Sequence, residues 1–168
     1  MFFLTNVKDS VNNTSNIIIK IYTNIYMNYQ IDIDYGAKCE KQAIILLQEY
    51  FKFQLVKLNY YNTFDFYNEQ ENVYIELKSR NCQVNTYTST MVGMNKINKA
   101  RLLNKKNFSV YFFFYFTNSN YSECDLYYWK FNIDELDQLI YKNGGRVDRG
   151  KNEIKKYAYI PITLLIKI

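Results

Sequence analysis

The sequence predicts a single α/β domain in which a mixed central β-sheet is flanked by helices. Three observations carry that expectation. Apolar residues recur at spacings of three and four over residues 36–51, which marks one helical face. Side chains alternate with period two over 63–67 and 73–80. Residues 108–116 are continuously apolar and aromatic, as a strand buried on both faces requires. A chain of 168 residues that is 48% hydrophobic and 22% charged is long enough for one core and too apolar for wholesale disorder.

In chain order, residues 1–30 read as an Asn-rich extension, with a strand at 17–26, and 31–168 as the folded domain. The helix at 36–51 carries Ala37, Glu40, Ile44, Leu47 and Phe51 on one face, so Glu40 stands inside an apolar stripe. A strand follows at 53–60. A β-hairpin comes next, its strands at 63–67 and 73–80 separated by the polar run 68–72. A second helix is expected at 90–105, capped by Ser89 or Thr90. The buried strand at 108–116 and another at 126–131 complete the sheet. A short helix at 132–141 opens with Asn132 and Glu135 in capping-box spacing and ends at Gly144. A basic loop at 146–156 leads to a last strand at 157–168, with Pro161 at an edge or bend.

The chain contains no histidine. That excludes Ser-His-Asp and Cys-His catalysis and His-ligated metal centres. What remains is chemistry run by carboxylates, lysines, tyrosines, or a cation held by oxygen. The hairpin concentrates such groups. Val73, Ile75 and Leu77 face one way and Tyr74, Glu76 and Lys78 the other, while Asp65 opposes Phe64 and Phe66. A loop of two or four residues centred on Gln70 and Glu71 sets Asp65 directly across from Glu76. Directly opposed Cβ atoms lie about 4.5–5.5 Å apart. Two carboxylates that close need a proton or a cation between them, and Mg²⁺ prefers such oxygen ligands. Lys78 reaches the same spot from the same face. A bound cation makes water nucleophilic and neutralises a phosphate, and Lys78 orients the water. The competing reading is the solvated face of an ordinary hairpin, with Lys78 offsetting the acids.

At Asp65, Glu76-Leu77-Lys78 and Glu40 on the preceding helix, the sequence resembles the PD-(D/E)XK nuclease superfamily. The order of helix, strand, metal hairpin, helix and strand matches too, over residues 35–131. One departure is Phe64, where the motif has Pro before the Asp. The resemblance implies a restriction-endonuclease-like fold and a Mg²⁺-dependent endonuclease acting on DNA, with Mn²⁺ able to substitute. It assigns Asp65, Glu76 and Lys78 to catalysis, and Glu40, Asp65 and Glu76 to the metal. The Met-Val-Gly-x-Asn-Lys stretch ending at Lys96 resembles a segment that follows this strand in viral and phage members.

Cationic residues around the hairpin suit a polyanion. Arg80, Lys96, Lys99, Arg101, Arg146 and Arg149 are the candidate nucleic-acid contacts, on a net charge of +5. Two other functions compete: a DNA-binding module of the same fold without activity, and a viral structural protein in which the acids are incidental. A symmetric double-strand cut needs a second chain, so a homodimer is one open assembly, which the sequence alone does not decide. Phe, Tyr, Met, Ile, Asn and Lys make up 90 of 168 residues, and Gly, Ala, Arg and Pro only 14, which points to an AT-rich genome, as of a large DNA virus, a protist or a reduced bacterium. Three scattered cysteines, no basic leader at the start, and an apolar stretch at 17–27 broken by Lys20, Thr23 and Asn24 predict an intracellular protein with no membrane span.

Overall fold

The structure, a computed structural model, describes residues 30–117, 124–145 and 154–168. The expected strand at 17–26, nearly all of the extension, and Arg146, Arg149 and Lys151 of the basic loop lie outside the described residues. Helix α1 spans 30–51, beginning before the expected residue 36. Its buried stripe is Cys39, Ala43 and Leu47, at the i, i+4, i+8 spacing of one face. Ala37, expected on that face, is exposed. Lys52 ends the helix in the left-handed region (φ 59°), its N–H donating to the Gln48 carbonyl at 2.9 Å.

Two sheets follow. The larger is ordered β1-β2-β3-β5-β6-β9: β1 Val56–Lys57, β2 Phe66–Asn68, β3 Val73–Arg80, β5 Ser109–Thr117, β6 Cys124–Lys130 and β9 Ile166–Lys167. β3 and β5 run parallel and the other pairs antiparallel, so the sheet is mixed. The chain crosses from β3 to β5 through β4 Ser89–Gly93 and helix α2 Met94–Asn104. The smaller sheet, β4-β8-β7, adds β7 Ile140–Gly144 and β8 Lys155–Pro161.

The large sheet divides the core in two. Ile75, Leu77, Phe113 and Tyr115 pack under α1 with Cys39, Ala43 and Leu47. Phe112, Phe114, Phe116 and Trp129 pack on the other face against Ile97 and Ala100 of α2 and Val92, Ala158 and Ile160 of the small sheet. The aromatic run at 111–116 is therefore core on both sides, as its continuity predicts.

Several expected elements change. The strand at 53–60 shrinks to β1, and the first hairpin strand to β2. Between them the Asn59 carboxamide accepts the Tyr61 N–H at 3.1 Å and a bond from Asn62 at 2.8 Å, and such local bonds compete with a ladder. The second helix starts at 94 because 89–93 pairs with β8, burying Thr90 and Val92 and leaving Ser89, Met91 and Gly93 partly open. The helix expected at 132–141 is a 3-10 turn at Ile133–Gln138 followed by β7, which Gly144 ends. Asn132 does cap it, accepting the Asp134 N–H at 3.0 Å, while Glu135 accepts the Trp129 indole N–H at 2.6 Å. The last expected strand is β8, then a 3-10 turn at Ile162–Leu164, then β9, with Pro161 at the break. No helix among the described residues is long and apolar enough to cross a membrane.

Candidate active site

β3 has a hydrogen-bonded neighbour on each side, which fixes its backbone and alternates its side chains between the two cores. Tyr74, Glu76, Lys78 and Arg80 fall on the α2 face. Glu76 is 0% exposed there, beside Phe112 of β5. A carboxylate this deep needs partners. The Lys78 ammonium lies 2.5 Å from Oε1 and the Lys96 ammonium 2.7 Å from Oε2. Burial pushes the Glu76 pKa up and the Asp65 charge adds to that, while Lys78 and Lys96 oppose it. Burial pulls Lys78 down, but Glu76 and Asp65 outweigh it and the net shift is upward.

The hairpin has the expected register: Phe66 faces Ile75 and Tyr67 faces Tyr74, which sets Asp65 at the level of Glu76. The local backbone differs from a plain strand. The Asp65 N–H donates to the Ile75 carbonyl at 2.9 Å, its carbonyl accepts from the Leu58 N–H at 2.8 Å, and its carboxylate Oδ2 accepts the Leu77 N–H at 2.7 Å. The Asp65 side chain thus occupies a ladder position that a backbone carbonyl would fill. The bend reverses alternation, so Phe64 enters the α2-side core and Phe66 the α1-side core instead of sharing a face.

Lys96, expected as a nucleic-acid contact, is turned inward to this cluster. It sits in the first turn of α2, where a cation opposes the helix dipole. Its ammonium bonds Glu76 and also donates to the Thr63 carbonyl, two residues before Asp65. One side chain therefore joins α2, β3 and the Asp65 bend. Thr63 was not legible as a participant, because only its backbone takes part.

Glu40 is not brought in. α1 covers the opposite face of the sheet, and Glu40 forms an ion pair with Lys57 of β1. Among the described residues, no three Asp, Glu or Cys side chains converge closely enough to hold a metal ion. Arg80 is used structurally: Nε donates to Thr90 Oγ1 at 3.0 Å and Nη1 to the Ser79 carbonyl at 3.2 Å, and Nη2 donates to the Met91 carbonyl. Lys99 is exposed on α2, whereas Arg101 turns toward Ile133 and Leu136, so α2 does not present the three cations on one surface.

Asp65 and Glu76 together suit a hard cation. Both are oxygen donors, and Glu76 Oε1 is a buried atom with no aligned hydrogen-bond donor, although the Lys78 ammonium is beside it. Such a cation would take its other ligands from water, as Mg²⁺ usually does.

A mixed sheet between helices, with a Glu-x-Lys on one strand of a hairpin and an Asp in the bend that leads into the other, defines the chain as a PD-(D/E)XK protein of restriction-endonuclease-like fold. The family described as "Phage putative PDDEXK endonuclease" matches residues 26–168, and the chain belongs to that family. The phage family agrees with a viral source, one of the origins that an AT-rich composition allows. No curated protein and no solved structure was found to match the chain.

Proposed function

We propose that the protein is a Mg²⁺-dependent endonuclease that hydrolyses DNA phosphodiester bonds. The observation that carries this is a fully buried Glu76 held by two ammonium groups at the level of Asp65. Burying one carboxylate and spending two lysines on it costs stability that an apolar residue would not, so a functional role explains it better than structure. The endonuclease family supports the same reading.

In this reading Asp65 and Glu76 hold the cation. The cation, when bound, acidifies water and offsets phosphate charge. Lys78, a third exposed and paired with Glu76, swings its ammonium to the attacking water and the phosphate oxygens. Lys96, 17% exposed and pinned to two acceptors, stays in place and fixes Glu76 relative to the Asp65 bend. Lys99 adds backbone attraction from outside.

A supercoiled-plasmid assay tests this. Purified protein should nick DNA with Mg²⁺ or Mn²⁺, lose activity in EDTA, and lose it as Glu76→Ala. Nicking that survives EDTA or the substitution would refute the assignment. DNA binding that falls with salt, without nicking under any divalent cation, would leave a binding module.

A further inference from the structure

The row of polar side chains on β3 does not stop at the catalytic groups. Arg80 comes two residues after Lys78 on the same face, about 6.6 Å further along at roughly 3.3 Å per residue. There the two sheets part, and a cavity of about 480 Å³ opens between them. Its walls combine apolar and polar side chains: Met91 and Phe116 on one hand, Gln83, Ser89, Arg80 and Lys142 on the other. The Lys142 ammonium stands 4.3 Å above the Tyr159 ring, which also lines the cavity. Tyr87, 68% exposed, stands at the rim. Arg80 is fixed by three hydrogen bonds and does not need to be ordered on binding.

Resting on the nuclease reading above, we propose that this cavity receives one unpaired nucleotide next to the phosphate at Lys78, so that the preferred substrate is DNA that is single-stranded or unpaired at the cut. The cavity lies within the size range of sites for small organic ligands, roughly 300–1,000 Å³. A base within a duplex is stacked on both faces and paired along its edge, and it enters such a cavity only after unstacking. An unpaired base enters without that cost. Apolar walls and the Tyr87 ring offer stacking surface, and every base has a face to stack. Arg80 and Lys142 supply charge for the accompanying phosphate. Stacking and phosphate charge are the same for every base, so these contacts set a preference for strand structure and not for sequence.

The test is a binding comparison in Ca²⁺, which suits the oxygen ligands but supports hydrolysis poorly, using a single strand and a blunt duplex of equal length. A fluorescent adenine analogue in the strand reports its stacking. Wild-type protein should bind the single strand at least tenfold more tightly. Tyr87→Ala should lower that affinity about tenfold and leave duplex affinity unchanged, as should Thr88→Trp, which fills the mouth. Tyr87 is exposed, so its variant folds even if the Trp variant does not. Equal affinity for the two DNAs, or an unchanged single-strand affinity in Tyr87→Ala, overturns the proposal. Binding of a free deoxynucleoside monophosphate as tightly as the strand also overturns it, since the occupant would then be a free nucleotide. Plasmid nicking is scored separately: a nicking enzyme with no strand preference refutes only this inference, and strand preference without nicking refutes only the nuclease reading.

Discussion

At the scale of single residues, the two lysines on Glu76 are chemically alike and differently held. Lys78→Ala is expected to lower cleavage by about 10²–10³-fold, the usual loss when one donor to developing charge is removed. Metal binding should change little, because the ammonium acts on water and phosphate. Lys96→Ala removes the bond to Thr63 as well as one counter-charge of a buried carboxylate. It should cost about 3 kcal/mol of stability, the low end for breaking a buried pair, since Lys78 remains. Urea denaturation separates the two: a Lys96→Ala protein as stable as wild type would mean that the clamp contributes nothing. Glu40→Gln should leave cleavage and Mg²⁺ dependence unchanged, because Glu40 pairs with Lys57 across the sheet from Glu76. A raised Mg²⁺ requirement in that variant would return Glu40 to the site. Tyr50 gives a pH signature. Its hydroxyl donates to that of Tyr128 at 3.0 Å, and this bond, with burial, pushes its pKa up to about 12. A raised pKa means that the fold favours the protonated phenol. The resulting stability is complete below pH 10.0 and is lost as pH rises through about 12. Burial also raises Tyr115 and Tyr67, so tyrosinate absorbance should show a late-titrating component, and Tyr128→Phe should shift the Tyr50 part of it earlier.

Among the elements, β3 and β4 are tied by the Arg80 guanidinium, and Thr90→Val tests that tie. It keeps the shape of a buried strand residue and removes the acceptor of Nε. An arginine N–H left unsatisfied costs about 1–3 kcal/mol, and a thermal melt should show a loss of that size. The same pair of strands shows what the sequence could reveal. β3 was legible residue by residue, because burial on alternating faces writes period two into Val73–Arg80 and a short polar turn fixes the level of Asp65. β4 was not. Thr90, Met91 and Val92 read as the start of the helix that follows, and their alternation acquires meaning only from β8, at 155–161. The small sheet as a unit was missed for that reason: β8 was expected as a strand, but its pairing with β4 lies far away in sequence, and β7 fell inside the expected helix at 132–141. α1 was legible as a helix but not in its orientation. Ala37, Ile44 and Leu47 make one apolar stripe and Cys39, Ala43 and Leu47 another, and only the sheet beneath selects the second. That small rotation, with the choice of sheet face, takes Glu40 out of the site. Lys96 was legible as a cation near the hairpin, whereas its pairing with Glu76 required knowing where α2 begins.

For the whole molecule, the charge balance of the site predicts how metal and DNA bind together. Asp65 and Glu76 carry two negative charges, and Lys78 and Lys96 two positive ones, so the site is neutral by itself. A divalent cation entering alone leaves an excess of positive charge beside two ammonium groups in a partly buried place, and it competes with Lys78 for Glu76 Oε1. A phosphodiester relieves both problems: it supplies negative charge and gives the Lys78 ammonium a new acceptor. Metal and DNA should therefore each raise the other's affinity, by the same factor whichever is added first, as linkage demands. The factor should lie within the usual range for coupled sites, about 5–150-fold. Calorimetric titration with Ca²⁺ in the presence and absence of DNA measures one side of the cycle, and DNA titration with and without Ca²⁺ the other. Lys78→Ala should raise the affinity for Ca²⁺ without DNA and shrink the coupling, because the competing ammonium is gone. If Ca²⁺ binds equally well with and without DNA, Lys78 does not transfer between Glu76 and phosphate, and its part in the reaction must be played from where the structure holds it.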